Sequence, residues 1–214
     1  MKLELFYPSK PYSVFQAFGE NEACVKDYRL PTQVIKGKVN GVCPTGFKEL
    51  YPLLGMKGHT GQDLHAPDGT ILRAPHNGIV EEVQTEIERG LGVGIVTLDK
   101  RDMGEYGIHY AKTRQWHLKA ILVKKGQIVN VGDPIGLADS TGLSSGSHNH
   151  FELKPVEKNS KGIYYNVFQD NGYFGSIDPA PYFKNMYSED YQSISKRIIE
   201  IAKKMIEVLK MRVI

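Results

Sequence analysis

Residues 69–99, GTILRAPHNGIVEEVQTEIERGLGVGIVTLD, decide the fold. Within them GTILRA, GIVEEVQTEIE and VGIVTLD are short runs rich in Val, Ile and Thr, broken by Gly, Pro or Asp. Several alternate apolar with polar residues, which is the period of a half-buried strand and not of a helix. The same texture runs outward from Gly58 to about Leu153 and includes AILVKKGQIV (120–129) and PIGLAD (134–139). Antiparallel strands joined by tight turns are expected, and the 22 glycines among 214 residues, above the usual ~7%, fit such a turn-rich chain.

On either side the texture changes. The first fifty residues carry PSKP, an FGEN turn, RLP and CPTG and read as a loop-rich segment. Residues 155–182 return to loop, rich in Tyr, Asn and Gly, and close with DPAPYF. In the tail, Tyr191, Ile194, Ile198, Ile201, Met205 and Leu209 recur every three or four residues between charged ones, which predicts an amphipathic helix. Glu189 and Asp190 suit its first turn; Lys203, Lys204, Lys210 and Arg212 suit its last. Its apolar stripe is available to its own domain, to a second copy in a homodimer, or to a membrane or another protein. The expected organisation is an N-terminal segment over 1–57, a β domain over 58–183 and a helix over 188–214.

Composition excludes several classes. Lys and Arg number 27 against 24 acidic residues, and a net charge of +3 over this length makes no footprint for nucleic acid. No run approaches the ~18–20 apolar residues of a membrane span. Residues 1–25 contain no apolar run of signal-peptide length, so synthesis in the cytosol without a signal is expected. Cys24 and Cys43 match no zinc-knuckle spacing and read either as a disulfide, if the protein works outside the cell, or as two reduced thiols.

The chemistry lies in the histidine spacing. GHTGQDLHAPDGT places His59 and Asp63 four apart, and the surrounding glycines disfavour a helix. On a strand, positions i and i+4 also share a face. SGSHNHFEL places His148 and His150 two apart, on one strand face with Cα atoms about 6.6 Å apart. Two His and an Asp with a water form the ligand set of a catalytic zinc site, whereas a structural site uses four protein ligands and usually Cys. His117 lies between the clusters in RQWHLK. His65 reads as groove wall or solvated, His76 and His109 as surface or packing residues, and Tyr110, Trp116 and Phe151 as packing residues. Glu152 reads either as a support to the metal or as strand surface.

The order and surroundings of these residues resemble the lysostaphin-type zinc metallopeptidases, which are peptidoglycan endopeptidases. GHTGQDLHAPDGTILRAPHNGIV, WHLKAILVKKGQIVNVGDPIG and STGLSSGSHNHFEL carry the resemblance from Gly58 to Leu153, and SIDPAPYF gives a similar ending. PSKPYSVFQAFGEN is similar to phage-associated members. The resemblance implies a mainly β fold, a compact antiparallel sheet or barrel-sandwich hybrid with the metal in a groove. It implies one Zn2+ per chain held by His59, Asp63 and His150, with His148 and His117 as the non-ligand catalytic histidines. We expect His148 to be the general base and His117 the oxyanion stabiliser, although spacing does not assign the two roles. Asn149 and Trp116 depart from the family pattern at positions able to reshape the groove. The expected substrate is the peptide of bacterial peptidoglycan, reached as a phage lysin or as a secreted bacterial enzyme. The other classes are a metal-free wall-binding or regulatory module of this fold and a phosphocarrier on a related β-fold.

Overall fold

The computed structural model describes residues 1–20, 54–169 and 171–211. Cys24, Cys43 and Arg212 fall outside the described residues, so the expectations placed on them do too. The strands in chain order are β1 (Leu5–Tyr7), β2 (Val14–Gln16), β3 (Gln62–His65), β4 (Ile71–Arg73), β5 (Gly78–Gln84), β6 (Leu91–Thr97) and β7 (Arg101–Asp102). They continue with β8 (Ile108–Ile121), β9 (Ile128–Val129), β10 (Pro134–Ala138), β11 (His148–Lys158), β12 (Tyr164–Asn166) and β13 (Phe183–Tyr187), and a helix, α1, covers Ser188–Met211.

Eleven of these strands form one sheet whose main path is β2-β3-β11-β8-β6-β5-β9, and its pairs are antiparallel. The exception to the antiparallel rule lies outside it, where β1 pairs with β13 in parallel. The mainly β, antiparallel expectation is met. The sheet stays open and does not close into a barrel, because among the described residues no pairing joins β2 to β9.

Two apolar clusters hold the sheet. One gathers Leu72, Val80, Val93, Ile95, Leu118 and Ile135; the other gathers Leu5, Leu64, Met103, Phe151, Leu153 and Ile177. The long strand β8 shows how alternation builds them: Ala111, Thr113 and Gln115 are buried at every second position. The pattern then slips by one, and Leu118 is the next fully buried residue. That slip sets His117 apart from the buried row.

Two loop expectations are corrected. Residues 155–182 are expected to be loop, yet β11 continues through Pro155 to Lys158 and receives β12 on its end. The Pro155 carbonyl also accepts a hydrogen bond from Val167 N, so the segment after it is tied back to the sheet. The N-terminal segment, read as loop, contributes the short strands β1 and β2, and β2 lies on β3.

α1 begins at the predicted residue. Its first turn is anchored by Lys10 to Asp190 at 2.6 Å, by Gln192 to Asp133 at 2.6 Å, and by Tyr191 against Phe6 at 4.4 Å between ring centres. Beyond that turn the apolar stripe is not covered by its own domain: Ile194, Ile198, Ile201 and Met205 are all exposed. No described helix is long and apolar enough to cross a membrane.

Candidate active site

The central antiparallel strands carry the site. On β11, His148 and His150 point to one face, while Asn149 between them is fully buried on the other. There its Nδ2 donates to Gln115 Oε1 at 2.9 Å. Asn149 therefore does not shape the groove, contrary to the expectation, because the pleat turns it into the interior. The neighbouring β3 pairs Asp63 with His150 and brings Asp63 beside it. His59 reaches the same point from the turn before β3, which passes very close to β11. A Cβ on Gly61 would stand 2.3 Å from Phe151 O, so only glycine allows that approach.

His59 Nε2, Asp63 Oδ1 and His150 Nδ1 converge. His59 Nε2 is 2.9 Å from His150 Nδ1 and 3.1 Å from Asp63 Oδ1, and His150 Nδ1 is 2.8 Å from Asp63 Oδ1. Among the described residues this trio is the group of ligand atoms close enough to hold a metal ion. Two imidazole nitrogens and a carboxylate, open on one side to a groove of about 500 Å³, fit zinc with a free position for water or substrate.

The partners of the outer nitrogens show which nitrogen of each ring faces inward. His59 Nδ1 donates to Ala17 O at 3.0 Å, which leaves Nε2 bare. His150 is turned the other way: its Nε2 faces Thr60 Oγ1 at 3.3 Å and Glu152 Oε1 at 3.6 Å, which leaves Nδ1 for the metal. Burial alone would raise the Asp63 carboxyl pKa, but the hydrogen bonds of His148, His150 and His59 hold it well below the usual range. Burial also disfavours a charged His150, yet Asp63 and Glu152 on its two sides push it up to about 9. The same two carboxylates favour a metal cation there in exchange for the proton.

His148 and His117 stand beside the trio, 4.6 Å apart between ring centres. His148 Nδ1 donates to Gly146 O at 2.7 Å, and its Nε2 lies 3.4 Å from Asp63 Oδ1. His117 arrives through the slip in β8. Gly92 pairs with Trp116 and Leu91 with Leu118, so His117 is an extra residue between two rungs, with φ at 64°. Such a bulge re-aims a side chain, and a left-handed non-glycine residue is characteristic of functional sites. Thr141 fixes it: its carbonyl accepts from His117 Nδ1 at 2.6 Å, while its hydroxyl donates to Leu118 O and accepts from Leu91 N. Burial lowers the His117 pKa to about 4, against the opposing bond to Thr141, so the ring is neutral near pH 7.

The remaining expectations sort cleanly. Trp116 lines the groove and lies under the Arg114 guanidinium at 4.1 Å, whereas Phe151 is core and Tyr110 packs edge-on against Tyr164. His65 is exposed, His76 is buried against Thr113, and His109 pairs with Glu157. Sequence reading singled out neither Phe15, whose ring meets His148 edge-on at 5.5 Å, nor Arg114 and Thr141; strand pairing brings in the first two, and the loop after β10 brings in Thr141.

Residues 57–163 match the model of the family described as Peptidase family M23. Among curated relatives, the chain is 38% identical over 95 residues to the peptidoglycan DD-endopeptidase ShyA of Vibrio cholerae, which covers 44% of this chain and 20% of that protein. It is 35% identical over 140 residues to the glycyl-glycine endopeptidase ALE-1 of Staphylococcus capitis, covering 63% of this chain and 32% of that one. The crystal structure of a zinc containing peptidase from Vibrio cholerae aligns with a TM-score of 0.47 at 26% identity, over 72% of this chain and 36% of that one. The matched stretch thus spans a fifth to a third of these curated relatives. With half its length matched by the family model, and the histidines and aspartate of its site inside that half, the chain belongs to peptidase family M23.

Proposed function

We propose that this protein is a zinc metalloendopeptidase that hydrolyses peptide bonds of bacterial peptidoglycan. One observation carries the reading: four imidazoles each have their outer nitrogen engaged and the inner one turned towards a single groove beside a buried carboxylate. His59, Asp63 and His150 would hold the metal. Zinc, when bound, supplies Lewis acidity, which makes water a better nucleophile and polarises the scissile carbonyl.

The chain's own residues then handle protons. His148, with Nδ1 committed to Gly146 O, accepts the proton of the attacking water at Nε2 as general base. A neutral His117 whose Nδ1–H is committed to Thr141 O offers a lone pair at Nε2 and not a proton. Its role as oxyanion donor therefore begins only after Nε2 has been protonated. We assign it to receive from His148, whose ring centre is 4.6 Å away, the proton taken from the water, and to hold it against the developing charge before it passes to the leaving amine. Trp116 and Phe174 line the groove in which an extended peptide would lie.

The names of the relatives ShyA and ALE-1 support cell-wall peptides as the substrate class. The similarity of residues 8–21 to phage-associated members supports a phage lysin; a secreted bacterial remodelling enzyme has the same chemistry. The exposed stripe of α1 supports self-association into a homodimer, which light scattering across a concentration series tests. The function is tested by digesting purified peptidoglycan of defined cross-links and identifying fragments by mass spectrometry. Fragments that vanish with chelator and return with zinc are expected, and their absence from every chemotype would overturn the reading.

A further inference from the structure

Glu152 is a charged group that the mechanism above leaves unused. It is 5% exposed, two residues beyond His150 on β11 and on the same face. Removing a carboxylate from water is costly, and an ion pair buried for stability alone is often matched by apolar residues. The arrangement of donors around Glu152 points to a different use. His150 Nε2–H faces Thr60 Oγ1 at 3.3 Å, and that hydroxyl donates to Glu152 Oε1 at 2.9 Å. The other carboxylate oxygen accepts from Arg114 Nη1 at 3.0 Å and Trp116 Nε1 at 3.3 Å, and lies 3.5 Å from Lys154 Nζ. Every donor in this chain ends on the carboxylate, so the order of donors and acceptors runs one way only. A proton is thereby held on Nε2 of His150, and Nδ1, 2.8 Å from Asp63 Oδ1 and 2.9 Å from His59 Nε2, is the nitrogen that can exchange its proton for a metal ion.

The same carboxylate holds the groove. Trp116 lines it, and Lys154, paired to Glu152, donates to Phe174 O at 3.0 Å and so ties down a second lining residue. We propose that Glu152 is a positioning residue: through Thr60 it sets which nitrogen of His150 meets the metal, and through Trp116 it couples metal binding to the groove wall. This rests on the zinc reading of the trio. It extends that reading to a residue outside the ligand set and to a consequence that can be observed without any substrate.

Trp116 is the chain's single tryptophan, so its emission reports on this network alone. The experiment titrates zinc, in competition with a chelator of known affinity, into the metal-free full chain and follows Trp116 emission. The wild-type chain is expected to bind one zinc with a change in emission. Glu152→Gln is expected to raise the zinc dissociation constant ~10- to 100-fold and to lose most of that change. A purely structural carboxylate would lower the urea midpoint of the metal-free chain and leave the dissociation constant alone. Zinc binding by Glu152→Gln within about twofold of wild type therefore overturns the proposal. If the wild-type chain itself takes up no zinc, the metal reading fails first, which is a distinct result. If Glu152→Gln does not fold by circular dichroism, Thr60→Val decides. It removes only the bridging hydroxyl, is expected to weaken zinc by about threefold or more, and an unchanged constant overturns the proposal.

Discussion

At the scale of single residues, the five site positions divide by which of their atoms face the groove. His150 offers Nδ1 to the trio, so His150→Ala is expected to lose zinc and turnover together. His148 and His117 stand outside the trio; their alanine variants are expected to keep zinc, measured by metal analysis, while turnover falls by ~10²–10⁴. Retained hydrolysis in His148→Ala would remove its assignment as base. His76 carries a separate expectation, on stability. It is buried, its Nδ1 donates to Asn77 O, and its Nε2 faces Thr113 Oγ1. Burial lowers its pKa from 6.5 to about 4. Between those values the unfolded chain binds a proton that the folded chain refuses. The contribution is thus complete above pH 6.5 and is lost as pH falls toward 4. From pH 7 to pH 5 it amounts to about 2 kcal/mol. Unfolding free energies from urea titrations at the two pH values should fall less in His76→Gln than in wild type by about that amount.

At the scale of elements, the site depends on two irregularities in an otherwise regular sheet. One is the bulge in β8 that turns His117 out of the row Ala111, Thr113, Gln115. The other is the approach of the turn before β3 to β11, which Gly61 makes possible. Gly61→Ala places a methyl group against the backbone of Phe151, which cannot swing aside as a side chain would. β3 and β11 must separate there, and the His59–His150 distance opens with them. The expected result is a loss of about 2 kcal/mol or more in unfolding free energy, together with weakened zinc binding. Chemical denaturation and a chelator competition measure the two effects, and an unaltered zinc affinity would show that the close approach does not set the ligand geometry.

At the scale of the whole molecule, the metal site sits on a fold that does not depend on it for a core. Neither apolar cluster contains a ligand, so the metal-free chain is expected to stay folded. Zinc at 1,000 times its dissociation constant would add about 4 kcal/mol, so chelation should lower the melting temperature by on the order of 10 °C without abolishing the transition. Thermal scans followed by circular dichroism test this, and unfolding on chelation at 25 °C would contradict it. The sequence by itself determined the strand-and-turn texture between Gly58 and Leu153, since alternation and glycine turns are local properties. It also determined the α1 start at Ser188, and through spacing and resemblance the candidate ligands. Pairing was not legible, because it joins residues as distant as Asp63 and His150 through the register of β3 on β11. The side to which His117 points was not legible either, since alternation assigns it to the row of Gln115 and only the bulge against β6 reverses that. Which nitrogen of each of the four imidazoles faces inward was decided by tertiary structure as well. A ring's tautomer follows the partner on its outer nitrogen, and those partners are Ala17 O, Thr141 O, Gly146 O and the Thr60–Glu152 pair.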